Sequence, residues 1–501
     1  MLFYFPGVSK LTLEKYIVNS LPLLPPEGLT GRTKIISPVK TITPDNVKDV
    51  LEKALAIHAV NASQIEYLWR YYKGSQDIKD KTKMVRENIN NKVTVNRANE
   101  IVTFKTAYLL NEPIQYISNG GDDDISAKVA QLNDYMRAED KESKDKEIVD
   151  WLHICGVAER LVLDDRDMGV EDGAPYCIYT LDPKQAFVIY NAGIGQKPLA
   201  GVILQIDENE KWFANVYTRN MYFRVNADGT MTYQFSGYNG IPLIEYENNT
   251  ARMGAFEPVI SLLNSINTLE SNAVDSVEDF VNAFDVFQNC AIEDGEYSQL
   301  SVGGKAVMVK TVTQGMEAKV YRVASEISQS GVQTRIDDMN DAIFEIVGMP
   351  NRNGGSSTSD TGSAVIFRDG WSEAESRAKD SEKLFTRSER EMLRMVLHIC
   401  RVKDGGKYDL GLSLGDIKTE FLRKNLANLQ SKTQTLCEML NNDYIHPKMA
   451  YEAAGVFKDN EQAYRLGLEW NEEQAKKTAE DLDRISGVKP DEQETPTGGD
   501  T

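Results

Sequence analysis

Residues 253–304 run for 52 positions without a lysine or arginine, and the same window holds nine acids: Glu257, Glu270, Asp275, Glu278, Asp279, Asp285, Glu293, Asp294 and Glu296. Most of the window has the spacing of one long amphipathic helix. Apolar residues fall at Val259, Leu262, Leu263, Ile266, Leu269, Val274, Val277, Phe280, Val281, Phe284 and Phe287, recurring about every 3.5 residues. A helix with a packed stripe and an acid-only exterior rarely stands alone. The pattern predicts an assembly in which one negative surface must not stick to something.

The whole chain sets the bounds for that idea. Its 501 residues can bury several cores, enough for about two to four domains. With 56 basic against 76 acidic residues the net charge is −20. Proteins that grip nucleic acid by neutralising phosphates are usually basic, so tight non-specific DNA binding by the whole surface is not expected. Plain solubility is an equally simple reading of that charge. Five cysteines, Cys155, Cys177, Cys290, Cys400 and Cys437, are scattered without a Cys-x-x-Cys pair. They read as reduced thiols rather than a disulfide framework. No apolar run reaches membrane-spanning length. Residues 1–5 are apolar but stop at Pro6 with no basic stretch before them, unlike a signal peptide. The expected setting is the cytoplasm or something assembled there.

Along the chain, residues 1–45 are proline-rich and irregular. A helix is predicted from about residue 45 to 71, mixed turn and helix signals over 91–110, and helices at about 125–137 and 143–155. After Gly156 short strands are predicted at 157–165, 176–181, 186–190, 199–206, 211–218, 221–225 and 231–235, a meandering sheet separated by turns such as Ala227-Asp228-Gly229. The long helix begins near residue 255, with Pro258 tolerated in its first turn, and extends about 35 residues to 290. A compact insert at 291–325 reads as two strands around a turn. A second helix covers 326–348, a glycine- and serine-rich loop 351–362, and a third helix 363–402. That last helix carries Arg377, Lys379, Lys383, Arg387, Arg390, Arg394 and Arg401. A strand at 408–414 and helices at about 424–441, 447–454 and 459–480 follow. The Pro/Gly/acid-rich tail from 486 is expected to be disordered.

Motifs for chemistry are sparse. Gly303-Gly304-Lys305 is followed by Ala306 and lacks the upstream glycine of a phosphate-cradling loop. Gly193-Ile194-Gly195 follows a strand, but Pro198 stands where a third glycine belongs, so a plain connecting loop is the better reading. Acid runs at Asp122, Asp123 and Asp124 and at Asp164, Asp165 and Asp167 contain carboxylates that a Mg²⁺-dependent nuclease needs. Adjacent acids, however, point in alternate directions and usually decorate loops. His-Ile-Cys occurs twice, at 153–155 and 398–400, without a second ligand pair at zinc spacing. No nucleophile elbow and no His-Glu-x-x-His is present. Four histidines leave general acid–base chemistry few candidates. No metal, cofactor or catalytic residue is assigned.

Several stretches in order carry a resemblance: YYKG at 71–74, NNKVTVNRANEIVTFKTAYLLNEPI at 90–114, DPKQAFVIYN at 182–191, KPLAGVI at 197–203, IPLIEYENNTARMGAFEPVISLLNSINTLESNAVDSVEDF at 241–280 and VGMPNRNGGSSTSDTGSAVIF at 347–367. This order and wording resembles the portal proteins of long-tailed double-stranded DNA bacteriophages, over about residues 60–475. The resemblance implies an α+β portal fold of a ring, commonly of twelve subunits, at one capsid vertex. It implies a wing over 46–250 and 363–420, stem helices over 251–290 and 326–349, a clip at 291–325, a tunnel loop at 350–362 and a crown over 421–480. Residues 1–45 and 481–501 lie outside that scheme. The tunnel loop would bring Asn351, Arg352, Asn353, Gly354, Gly355, Ser356, Ser357, Thr358, Ser359 and Asp360 closest to DNA.

Elementary geometry fits a ring. Helices pack about 8–10 Å apart, so twelve give an axis-to-axis diameter near 35 Å and a bore wide enough for a B-form duplex. A basic bore would hold DNA in one register, whereas an acidic one lets it slide. Asp337, Asp338, Asp341 and Glu345 on the second stem helix, against a lone Arg335, have two placements open: lining the bore, or facing solvent or a neighbour's arginines. Arg377, Arg387, Arg390 and Arg394 are expected either to pair with acids of an adjacent subunit or to form a solvated basic face. The implied partners are further copies of the chain, double-stranded DNA, the terminase large subunit, a head–tail adaptor, scaffold and major capsid protein, in the virion after assembly in the host cytoplasm. A neck or tail adaptor ring and a nuclease using Asp164, Asp165 and Asp167 are the alternatives.

Overall fold

The computed structural model describes residues 29–84, 87–119, 123–164, 173–281, 284–291, 310–313, 315, 317, 319–323, 329–351, 370–423, 426–457 and 460–486. Helix makes up about 51% and strand about 17%, the mixed α+β composition expected. In chain order the described elements begin with β1 (Ile35–Ser37), α1 (Val47–Tyr72), α2 (Arg97–Leu109), β2 (Gln115–Ser118), α3 (Asp123–Ala138) and α4 (Lys141–Cys155). Eight strands follow: β3 (Val157–Leu163), β4 (Cys177–Leu181), β5 (Ala186–Asn191), β6 (Pro198–Ile206), β7 (Trp212–Thr218), β8 (Met221–Asn226), β9 (Met231–Phe235) and β10 (Leu243–Glu247). Then come α5 (Ile260–Val281), β11 (Phe284–Gln288), β12 (Cys290–Ala291), β13 (Lys310–Thr311), β14 (Lys319–Val323), α6 (Gln329–Val347) and α7 (Trp371–Val402). The chain continues with β15 (Ile417–Glu420), α8 (Leu426–Leu440), α9 (Pro447–Ala454) and α10 (Asn460–Ser486). These elements fall into two compact units, residues 1–108, 140–170 and 175–399, and residues 109–139, 171–174 and 400–501.

In the first unit β5 to β9 form the meander, each strand antiparallel to the next. The turn from β8 to β9 is built locally: the Asp228 carboxylate accepts from the Thr230 amide at 2.8 Å, and Gly229 takes φ +81°. β1, inside the segment expected to be irregular, adds to β5 in parallel with Ile35 opposite Ile189. One face of this sheet packs on α1 through Leu51, Leu55, Val202, Val216 and Phe223, all buried. A second sheet has the order β10-β3-β4. Its β10 was missed in the strand prediction, because Leu-Ile-Glu-Tyr-Glu lacks clean alternation: four of its five residues are buried, leaving no polar face to read. Leu161, Val188, Ile203 and Leu243 form a smaller core that includes residues of both sheets.

A third core lies where α1, α2, α5 and α6 meet, around Tyr71, Ile101, Phe256, Leu263, Ile266, Ile336 and Ile343. The helix expected to reach residue 290 ends instead at Val281, and Phe284–Gln288 pairs antiparallel with Lys319–Val323. Periodicity alone carried the helix too far. A strand partner 31 to 39 residues downstream, Lys319 opposite Gln288 at the nearest and Val323 opposite Phe284 at the farthest, offers a ladder that the local pattern does not reveal.

In the second unit β15 pairs antiparallel with β2, and Asn133 on α3 holds the β2 backbone through both its amide and carbonyl of Tyr116. The strand expected at 408–414 lies at 417–420. The helices α8, α9 and α10 follow the predicted positions, and α8 and α9 share a small core of Leu436, Ala450 and Ala454.

Candidate functional site

The polar residues of α5 are spaced as tightly as its apolar ones. Asn264, Asn267, Ser271 and Asp275 recur at intervals of three or four, so they form one row along the helix. That row binds the segment before α2. The amide of Val95 donates to Asn267 Oδ1 at 2.8 Å, that of Val93 to Ser271 Oγ at 2.9 Å and that of Asn91 to Asp275 Oδ1 at 2.7 Å. Four helical residues advance about 6.0 Å and two residues of near-extended chain about 6.6–6.8 Å, so every second amide meets the next side chain of the row. The row continues at the other end: Tyr71 OH donates to Asn264, whose Nδ2 donates to Asp77 at 2.7 Å, and Asn267 Nδ2 donates to Gln76 at 2.5 Å.

Asp275 ends the row and takes two ammonium groups, Lys81 at 2.9 Å and Lys83 at 2.5 Å. Buried as it is, its carboxyl would be pushed up by desolvation; hydrogen bonds from Lys83, Lys81 and Asn91 outweigh that and hold it well below the ordinary range. At the start of the helix Glu257, also buried, pairs with Arg32 at 2.7 Å and accepts from the amides of Gly31 and Gly254 at 3.0 and 2.8 Å. The expectation of an acid-only exterior is therefore corrected at two positions. Glu257 and Asp275 are interior acids, and their counter-charges come from Arg32, Lys81 and Lys83, far outside the lysine- and arginine-free window. A buried carboxylate requires such partners because its lost hydration is otherwise uncompensated. The side chains of Asp279 and Asp285 and the whole of Glu293, Asp294 and Glu296 lie outside what the structure describes.

On α6 the acids are arranged differently. Asp337, Asp338, Asp341 and Glu345 are all exposed and, at about 100° per residue, occupy one arc of about 100°. The opposite side carries Ile336, Ile343 and Val347, buried against α5 and its neighbours. None of the four acids is in an ion pair among the described residues. Asp337 accepts from Gln333 and Asp341 from Asn351, each at 2.9 Å. Of the ten residues expected closest to DNA only Asn351 is described; Arg352, Asn353, Gly354, Gly355, Ser356, Ser357, Thr358, Ser359 and Asp360 lie outside the described residues. The structure does show that its flanks meet: a side chain added at Gly370 would lie 3.6 Å from the Pro350 Cα.

Most arginines of α7 have partners within the chain. Arg377 Nη1 donates to the Ile346 carbonyl at 2.7 Å, at the C-terminal end of α6, where a cation also favours the helix dipole, and its Nε donates to Glu373 at 2.7 Å. Arg387 pairs with Glu247 at 2.6 Å, and Arg394 with Glu391. Arg390 is exposed and has no ion-pair partner among the described residues. The inner side of α7 reaches a buried charge cluster: Lys141 bridges Asp145 and Glu389, each at 2.6 Å, Arg160 meets Asp145 at 2.6 Å, and Tyr246 OH donates to Glu389 at 2.7 Å.

A family model described as phage portal protein, SPP1 Gp6-like, matches residues 51–486. The chain belongs to this portal family. Portal proteins are structural, so membership makes the chain a component of a phage particle. No curated protein matches it. Among solved structures it is similar to a chain of the neck of an empty GTA particle computed with C6 symmetry, at 9% identity, TM-score 0.43, covering 72% of this chain and 90% of that one. A likeness at that level carries nothing about this portal protein's function.

The sites weighed against a portal role fall only partly within the described residues. Asp164 accepts from Tyr238 OH at 2.7 Å, whereas Asp165 and Asp167 lie outside the described residues. Of the other acid run, Asp123 and Asp124 occupy the first turn of α3, where carboxylates suit the helix dipole, and Asp122 is outside the described residues. His153 is buried, meets Thr106 Oγ1 at 3.1 Å, and desolvation lowers its pKa to about 3; His398 Nε2 meets the Gly237 carbonyl at 3.1 Å. Among the described residues no group of three or more His, Cys, Asp or Glu is placed to hold a metal ion, and no helix is long and apolar enough to cross a membrane. The residues that sequence reading missed in this portal protein are Arg32, Lys81, Lys83 and Asn91. The spacing of Asn264, Asn267, Ser271 and Asp275 was the available signal that α5 presents a second, polar docking face.

Proposed function

We propose that the chain assembles into a ring around a channel at one capsid vertex, through which double-stranded DNA is packaged and later ejected. In this reading the ring has about twelve copies and docks the terminase large subunit and then a head–tail adaptor; scaffold and major capsid protein surround it. The terminase supplies the energy, and the chain itself is not an enzyme and uses no cofactor. It assembles in the host cytoplasm and remains in the virion. The observation that carries the reading, within a portal-family chain, is the exposed arc of Asp337, Asp338, Asp341 and Glu345 on α6. A wall of carboxylates opposes phosphate and lets a duplex slide, since each cation on the wall would instead deepen a binding well. The residues 351–360 loop follows directly from α6, so it would project from the same wall. The arginines of α7, above all Arg390, would contribute to the contact between adjacent copies.

Imaging of the purified particle down its axis and its native mass test the ring; a lone chain at all concentrations sinks it. Asp338→Lys with Asp341→Lys tests the wall. Packaging should slow, and more at low salt than at high salt, because screening removes the added attraction. Slowing with no dependence on salt would mean that these acids do not face DNA. Deletion of residues 354–359 should leave the ring intact and impair packaging or retention of DNA.

A further inference from the structure

The two faces of the β10-β3-β4 sheet carry buried charges, and one of them does not balance. On the face toward α7, Arg160 and Lys141 stand against Asp145 and Glu389. On the other, Arg252 grips Glu245 through two contacts of 2.5 and 2.8 Å and Glu247 at 3.0 Å, and Arg387 adds its pair to Glu247. Tyr190 OH donates to Glu245 at 2.7 Å. Those two cations and two carboxylates are matched. Glu159 is left over. It sits directly across the strands from Glu245 and is 1% exposed; among the described residues it makes no ion pair and its Oε2 has no hydrogen-bond partner. The groups that bear on it are Glu245 from β10, Asp182 after β4 and Arg252 from the turn before α5, with Cys155 at the end of α4 close enough to feel its charge.

We infer that Glu159 keeps its proton at neutral pH, and that this proton lets β3 and β10 close on the Arg252 joint from which the chain enters α5. A second carboxylate opposite Glu245 would compete for Arg252 without a cation of its own, and two facing buried carboxylates do not both ionise. Burial first, and the Glu245 carboxylate second, push the Glu159 carboxyl well above its usual range. The sign follows from linkage. Because the folded value is raised, the contribution is complete below the ordinary glutamate value of about 4.3 and is lost as pH rises toward the folded value. The joint therefore weakens as pH rises and is not weakened by acid.

Urea unfolding of wild type and Glu159→Gln, across pH, tests this. Above about pH 4.3 and below the folded value, one proton leaves on unfolding. The wild-type unfolding constant should then climb about tenfold per pH unit relative to the variant, which keeps the shape and cannot ionise. Parallel curves overturn the inference. Infrared spectroscopy of the wild type gives an independent reading that does not rest on the variant's folding: a protonated-carboxyl band should be present at neutral pH and disappear in alkali. Its absence at neutral pH would equally overturn the proposal. Neither readout depends on ring formation or DNA passage, so the joint and the portal reading stand or fall separately.

Discussion

The helices α5 and α6 pack on each other and both read as acidic, yet their acids do opposite things. On α5, Asp275 is buried beneath Lys81 and Lys83 and fastens the segment before α2. On α6, Asp337, Asp338, Asp341 and Glu345 face outward with no cation against them among the described residues. The difference teaches that the sign of a charge along a helix does not tell its use. An acid is a fastener when a cation elsewhere in the chain can reach it, and a surface when none does. Only the second kind can govern what slides past.

The comparison breaks most sharply at Asp275. Asp275→Ala leaves Lys81 and Lys83 without their counter-charge and the Asn91 amide without its acceptor, and should destabilise the fold by about 3–5 kcal/mol, the usual loss when one partner of a buried pair is removed. Equilibrium unfolding measures this, and fast hydrogen exchange at Asn91, Val93 and Val95 would locate it. A loss no larger than that of a surface substitution would mean the row does not hold the segment. Titration gives a second test of the same site. The carboxyl of Asp275 is held below its ordinary value of about 3.9, so its contribution is present above that pH and lost as pH falls below it. Asp275→Asn should flatten the acid limb of stability and leave its alkaline limb unchanged.

Gly348 sharpens the contrast at the other end of the pair. It leaves α6 at φ +67°, and a Cβ there would overlap the Arg377 side chain that caps the helix. Gly348→Ala should cost about 1–2 kcal/mol from the left-handed backbone alone, read as a lowered urea midpoint; an unchanged midpoint would show that the turn has another conformation open to it. The smallest effect belongs to the arc. Asp337→Asn with Asp341→Asn should change stability by no more than about 0.5 kcal/mol, as surface substitutions do. A larger loss would place these acids in a structural role like that of Asp275.

Much of the fold was legible because its signals are local. The spacing of Leu263 and Ile266, the turn at Asp228-Gly229 and the strand runs from Val157 to Phe235 each depend on neighbours a few residues away. β10 and β11 were not legible. The first is buried on both faces and shows no alternation, and the second is a strand only because Lys319–Val323 lies beside it. The acids of the candidate site were found by residue type, and their division into interior and exterior was not.

By itself the sequence determined most of the helices and the meander strands, their order, the portal membership carried by residues 51–486 and the cation-free window that marks the helix pair. The tertiary structure alone decided which of those acids are spent. Arg32 reaches Glu257 across 225 residues of chain, and Lys81 reaches Asp275 across 194. A charge is compensated by whatever stands within a few ångströms of it in space, and no window of sequence contains that neighbourhood.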